Sequence, residues 1–483
     1  MVRLESEDQH VNGAEGVDVL GNWAAGPGPL HRKLADGIRA AIERGELRVG
    51  TRLLPERKFA RQISVSRSTV FAAWDQLKRE GWLESRRGSG TWVRLPDSAR
   101  RPGSGVDSMA SLRGIFRGGE DSEPVDFTTA QLEGTQVIED VVAELAADGL
   151  GSLLARQHLW PQGLEELREV VADRFAQEGV ATRPAEILIT TGYQQAISLV
   201  AALFVRAGDT VVVENPTSLG ALDAFRAVGA RMRGVTVEDQ GLVVEELVEL
   251  MGTTAPRLVY LIPTFHNPTG SVLAGLHRRR IARLAGELGI PVVEDLSHAT
   301  IRFEEPPPPV AHYEPGGPII TVGSMSKLFW SGLRIGWVRG SEQVIARLGR
   351  MKTVADLGTP LLSQLVAVRL LDRYDEVVRE REQQVPARLT RLEEGLRAEL
   401  PDWEWTSPRG GLALWVRIPR GTAGAFAQLA LRCGVVALPG TLLSVTEGHE
   451  DRLRLCYHLP PAMIDEGVDR LRLAWSEYQR RST

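Results

Sequence analysis

Leu30, Leu34, Ile38 and Ile42 recur every four residues, and that spacing places them on one face of a helix. Pro55 fits the start of a short second helix whose apolar side is Phe59 and Ala60. Ile63-Ser64-Val65 reads as a three-residue turn. Ser66 then caps a third helix, with Val70, Trp74 and Leu77 as its buried stripe and Gly81 as its stop. WLESRR, GSG and TWVRL follow as two short strands about a glycine turn.

From about residue 125 the period changes. ILIT (187–190), TVVVEN (210–215), LVYLIP (258–263), PVVEDL (291–296) and IITVGS (319–324) are short, largely apolar runs and candidate buried strands. Helical stretches such as HRRRIARLAGEL (277–288) separate some of them, so the pattern predicts an α/β domain with a mostly parallel sheet. The stretch from about 375 to 483 holds a long polar helix, the strand GGLALWVRI and a terminal amphipathic helix, which predicts a small C-terminal α+β subdomain. Between the two halves, residues 96–124 are rich in Arg, Gly, Ser and Asp and read as a linker. Residues 1–26 read as a disordered leader. The expected order is therefore leader, module 27–95, linker, and large domain 125–483.

A chain of 483 residues exceeds what one compact core needs. With 43% hydrophobic and 25% charged residues it has the balance of a soluble globular protein. Its two cysteines, Cys433 and Cys456, form neither a metal-ligand pattern nor a disulfide framework. The polar start and the lack of a long apolar stretch predict a cytoplasmic protein without membrane contact.

The net charge of −5 conceals an asymmetry. Residues 27–95 carry 15 Lys and Arg against 7 Asp and Glu, and the remainder carries 42 against 55. A basic module on an acidic body is expected when one part meets phosphates. Helix, turn, helix and strand pair form a winged helix-turn-helix. Arg67, Ser68 and Thr69 open its third helix, where side chains reach base edges. Arg52, Arg57 and Lys58 suit phosphate contacts, while Arg86, Arg87 and Gly90 belong to the wing. The run RLLPERKFARQISVSRSTVFAAWDQLKREGWLESRRGSGTWV resembles the GntR-type winged helix throughout. The resemblance implies double-stranded DNA as partner and puts the family's DNA-reading residues at Arg57, Arg67, Thr69 and Gly90.

The large domain carries a second chemistry. Pyridoxal 5'-phosphate needs an amine for its aldehyde, an anion at its ring nitrogen, a donor to its phenolic oxygen and a cationic cup for its phosphate. Lys327 follows the strand IITVGS, Asp295 ends the strand in PVVEDL, and Asn267 follows LVYLIP. They are 28 and 32 residues apart, about one β/α crossover each, so they can converge on one sheet edge. Arg334, Ser324 and Ser326 suit the phosphate, as do Gly192, Tyr193 and Gln194 at the start of a helix.

This set resembles the class I/II aminotransferases of the fold-type I pyridoxal-phosphate superfamily over about 125–483. The resemblance implies Lys327 and Asp295 as catalytic residues, Arg454 as the substrate-carboxylate clamp and a homodimer. A GntR-type winged helix fused to such a domain is the plan of the MocR subfamily, whose members sense an amine, an amino acid or a B6 vitamer. In that subfamily the winged helix often lies over the partner's large domain. Three aromatic positions depart from the pattern. Ser218 replaces the ring-stacking residue, Ser297 beside His298 replaces the phenol-bonding tyrosine, and His158 replaces the partner-subunit tyrosine. Tyr193, Phe265 or Trp330 could cover the ring instead. A working aminotransferase with an accessory DNA-binding domain, and a cofactor-free ligand-binding regulator, remain open alternatives.

Overall fold

The computed structural model describes residues 20–43, 46–47, 51–86, 90–94, 124–147, 151, 155, 159–446 and 448–482. Residues 96–123 of the linker expected at 96–124, together with Arg87 and His158, lie outside them.

The N-terminal module comprises α1 (Leu30–Glu43), β1 (Arg52–Leu53), α2 (Glu56–Gln62), α3 (Arg67–Arg79), β2 (Leu83–Arg86) and β3 (Gly90–Val93). Its core is formed by most of the expected stripes: Leu34, Ile38, Ile42, Phe59, Val70, Trp74 and Leu77 are all buried, whereas Leu30, at the first position of α1, is exposed. The Phe59 and Trp74 rings meet edge to face at 4.6 Å, a pairing that adds to about 2 kcal/mol of burial for each large side chain. Leu20 and Trp23, from the stretch read as leader, also pack into this core. Lys33 Nζ fixes them by donating to the Ala24 carbonyl at 2.9 Å. The Ser66 hydroxyl accepts from Thr69 N at 3.1 Å and so caps α3 as its position suggests. The wing has three strands, in the order β1-β3-β2. A two-residue strand such as β1 is too short for periodicity to reveal.

The large domain is built on an eight-stranded sheet in the order β5-β12-β11-β10-β9-β6-β7-β8. The strands are β5 (Ile187–Thr190), β6 (Thr210–Asn215), β7 (Arg231–Glu238), β8 (Gly241–Leu242), β9 (Leu258–Leu261), β10 (Val292–Asp295), β11 (Ile319–Ser324) and β12 (Gly336–Arg339). The pairs β11/β10, β10/β9, β9/β6 and β6/β7 are parallel, whereas β12 runs antiparallel to both neighbours. The central strands are buried along their whole length, as a sheet covered on both faces requires.

Helix α4 (Tyr193–Phe204) follows β5, α5 (Leu219–Ala227) follows β6, and α6 (Glu342–Asp356) follows β12. A 26-residue helix, α7 (Tyr374–Glu399), opens the small subdomain. The four-stranded sheet there follows the order β13 (Glu404–Trp405), β14 (Ala413–Arg417), β17 (Arg452–Cys456), β16 (Leu438–Pro439). Helix α8 (Ala423–Arg432) and the terminal helix α9 (Pro461–Ser482) pack with it. Short β4 (Val125–Asp126) pairs in parallel with β15 (Val435–Val436), bringing the start of the large domain onto the small subdomain. At the end of α8, Arg432 donates to the Ile63 carbonyl of the N-terminal module at 3.3 Å. Among the described residues no helix is long and apolar enough to cross a membrane, and no group of His, Cys, Asp or Glu is arranged to hold a metal.

Candidate functional site

Strands β9, β10 and β11 are neighbours, so Asn267, Asp295 and Lys327 all emerge at the carboxyl edge of one parallel block. Asp295 is almost fully buried. Its Oδ1 accepts from Ser297 N at 2.8 Å and its Oδ2 accepts from the Tyr260 hydroxyl at 2.5 Å. Tyr260 in turn is 2.8 Å from the Tyr193 hydroxyl. Burial pushes the Asp295 carboxyl above its ordinary value, opposed by hydrogen bonds from Tyr260, Ser297 and Tyr193.

Asn267 and Arg454 meet directly, Arg454 Nη1 donating to Asn267 Oδ1 at 3.2 Å. Arg454 Nη2 donates to the Thr128 carbonyl at 2.6 Å, and its Nε is buried without a hydrogen-bond partner. Lys327 Nζ donates to the Ala130 carbonyl. His298 is buried beside these two cations; burial, then the charges of Lys327 and Arg454, hold its imidazole well below the usual range and so neutral. Two carbonyls of the segment that follows β4 thus occupy the Lys327 amine and the Arg454 guanidinium.

The expected phosphate residues surround the turn before α4. Gly192 caps that helix at φ +81°, a conformation that suits glycine. A Cβ there would lie 2.6 Å from Arg334 Nη2, which donates to the Thr191 carbonyl at 2.8 Å. Ser324 Oγ accepts from Ser326 N at 3.1 Å and donates to Ser326 Oγ at 3.0 Å. The Gln194 amide is engaged elsewhere, donating to the Gly220 carbonyl at 2.9 Å.

Beneath this turn lies a network that sequence reasoning missed. Lys352 on α6 is fully buried and donates to Asp356 Oδ2 at 2.6 Å and to Gln195 Oε1 at 3.0 Å. Gln195 Oε1 also accepts from Thr191 N at 2.8 Å, so the network holds the Thr191–Gly192 backbone from below. Tyr260 was likewise missed as a functional group, although a lone hydroxyl inside the apolar run LVYLIP is a visible signal.

A second buried pair lies alongside. Glu214, next to last in β6, accepts from Ile262 N at 2.6 Å; its Oε2 is 3.5 Å from His266 Nε2. Burial lifts Glu214 to about 8 and depresses His266 to about 3. At neutral pH the pair is a protonated acid beside a neutral imidazole, and the short separation is not an ion pair.

Of the expected aromatic substitutes, Tyr193 lies nearest Asp295, through Tyr260. Phe265 is fully buried where a Cβ on Gly410 would meet it, and Trp330 is exposed near Gly134. In the DNA module Arg52, Arg57, Lys58, Arg67, Ser68 and Gly90 are exposed and Thr69 partly so. Arg52 lies over the Trp92 ring at 5.9 Å, and the side chain of Arg86 lies outside the described residues.

Comparison with known proteins agrees with both halves. Residues 30–93 match the bacterial regulatory proteins of the gntR family, and residues 129–471 match aminotransferase class I and II. The chain is 31% identical over 447 residues to the uncharacterized HTH-type transcriptional regulator YisV of Bacillus subtilis, covering 89% of this chain and 92% of that one. The probable rhizopine catabolism regulatory protein MocR of Rhizobium meliloti is 29% identical over 64% of this chain and 65% of its own. Among solved structures, α-aminoadipate aminotransferase LysN of Thermus thermophilus, complexed with N-(5'-phosphopyridoxyl)-L-leucine, superposes with a TM-score of 0.69 at 30% identity, covering 76% of this chain and 97% of that one. Fold and matches together define a regulator in which a GntR-type helix-turn-helix is joined to an aminotransferase-class domain. The chain belongs to the MocR subfamily of such regulators.

Proposed function

We propose that the chain binds double-stranded DNA through its winged helix and holds pyridoxal 5'-phosphate in its large domain, where an amine, an amino acid or a B6 vitamer is the effector. The observation that carries this reading is the convergence of Lys327, Asp295, Asn267 and Arg454 at the carboxyl ends of three neighbouring strands. The residues fit the group. Asp295 is a buried carboxyl that a cationic ring nitrogen would stabilise, Arg454 Nε is an orphaned donor, and Gly192 leaves the Arg334 guanidinium room at the phosphate turn.

Bound there, the cofactor supplies an electrophilic aldehyde and an electron-withdrawing pyridinium. Lys327 offers its amine, and Asp295 keeps the proton on the ring nitrogen. Asn267 donates to the phenolic oxygen and Arg454 orients a carboxylate, while Arg334, Ser324, Ser326 and the Gly192–Tyr193–Gln194 turn take the phosphate. Ser297 and His298 line the same floor, and Tyr193 supplies the aromatic face that Ser218 lacks.

The segment 128–130 couples this site to the DNA module. A carboxylate on Arg454 competes with the Thr128 carbonyl, and engagement of Lys327 releases the Ala130 carbonyl. That segment lies directly downstream of the linker, so filling the site alters the path towards the winged helix. Regulation then follows from different ligand affinities of the two arrangements. A homodimer presents two winged helices to two half-sites.

A second reading, a working aminotransferase, is favoured by the 30% identity to LysN and by the retention of Lys327, Asp295 and Arg454. Mobility shift on the gene's own upstream duplex, with and without pyridoxal phosphate plus an amino-acid mixture, tests the regulator. Binding that responds to the mixture is expected. Failure to bind that duplex and genomic fragments alike would remove the reading. Rapid, repeated turnover of amino acid with no change in DNA affinity would install the enzyme in its place.

A further inference from the structure

Phe71 lies on the outward side of α3 with 56% of its surface exposed. The buried residues Val70, Ala73, Trp74 and Leu77 define the inner face of that helix. Arg67, Ser68, Phe71, Asp75 and Arg79 are its exposed positions, and 67, 71, 75 and 79 form one outward stripe at four-residue spacing.

Single exposed apolar side chains are common on protein surfaces. Phe71 differs in its neighbours. One turn before it stand Arg67, whose side chain is 72% exposed, and Ser68, both in the first turn after the Ser66 cap. One turn after it, Asp75 pairs with Arg79 at 2.9 Å. Phe71 is thus the one apolar side chain on a stripe otherwise made of charged groups.

A phenyl ring offers no donor or acceptor to a base edge. The apolar feature that duplex DNA presents in its major groove is the C5-methyl of thymine. We propose that Phe71 is a specificity-determining residue that packs on a thymine methyl in each half-site. Four residues of helix advance about 6 Å, so this thymine lies about two base steps, at about 3.4 Å each, from the base that Arg67 addresses. The proposal rests on the module's reading of duplex DNA.

The test uses the full chain and a random duplex library. Sites selected by the wild type are synthesised with each thymine replaced in turn by deoxyuridine, which lacks only the methyl. For the wild type, one thymine per half-site is expected whose replacement weakens binding about fourfold to tenfold, the worth of one buried methyl or a little more. Phe71→Ala should bind the unmodified site more weakly by a similar factor and lose its sensitivity to deoxyuridine, while Phe71→Leu retains part of it. Arg67→Ala should relax selection about two steps away. Indifference of the wild type to every deoxyuridine, or equal sensitivity in Phe71→Ala, overturns the assignment of Phe71. Failure to enrich any sequence strikes the DNA-binding reading itself, so the two failures are distinguishable.

Discussion

Replacing Glu214 by Gln tests the geometry at the base of the candidate site. The folded chain holds this carboxyl at about 8 against an ordinary 4.5, because burial penalises its charge. Between those values the folded protein keeps a proton that the unfolded chain has released, so stability falls as pH rises from 4.5 to 8. His266 acts in the opposite sense lower down. Its folded value of about 3 lies below the ordinary 6.5, so its contribution to stability grows with pH across that interval. The two effects oppose one another between 4.5 and 6.5, and from 6.5 to 8 Glu214 acts alone. Over that window the linkage is worth about 1.6 kcal/mol, or about 2 °C in the melting temperature of a domain this large. Gln keeps an oxygen for the Ile262 amide and has nothing to titrate. Differential scanning calorimetry at pH 6.5 and 8 should show the wild type losing about 2 °C more than Glu214→Gln. Parallel shifts in the two proteins would refute a protonated Glu214.

Two further outcomes follow from the same site and a third from the winged helix. Lys352→Met removes the cation beneath the phosphate turn; it should weaken pyridoxal phosphate about tenfold while leaving unphosphorylated pyridoxal nearly unchanged, because the turn it supports serves the phosphate. Equilibrium dialysis with both vitamers decides this, and equal losses would count against it. Tyr260→Phe strips a hydrogen bond from the buried Asp295 and should cost roughly 2 kcal/mol, the loss shrinking as falling pH protonates a carboxyl that burial already pushes upward; urea melts across a pH series check it. Trp74→Ala empties the centre of the winged helix and should cost about 3–5 kcal/mol, abolishing DNA binding while leaving cofactor affinity intact.

The sequence makes the carboxyl edge of the sheet legible because cofactor chemistry needs particular residue types after particular strands. Lys327, Asp295 and Asn267 follow strands that apolar runs mark clearly, and β9, β10 and β11 prove to be neighbours. The stripe Val70, Trp74, Leu77 is equally plain, since one helix face must be apolar to bury. Local pattern says nothing of partners across space. The contacts of Thr128 and Ala130 with Arg454 and Lys327 are made by backbone carbonyls, which any residue supplies. The Lys352–Asp356–Gln195 network spans more than 150 positions, and its lysine sits on an otherwise ordinary helix. Strand β1 went unseen because two residues carry no period, and Leu20 and Trp23 because a Gly- and Pro-rich stretch after them reads as an end to structure.

The central claim is that Lys327 is the amine that takes the cofactor. Reduction of the pyridoxal-phosphate-loaded protein with borohydride, followed by peptide mass spectrometry, measures this directly. The pyridoxyl phosphate mass should appear stoichiometrically on the peptide containing Lys327 and vanish in Lys327→Ala, with Lys352 unmodified. A label spread over surface lysines, or retained in Lys327→Ala, would contradict it.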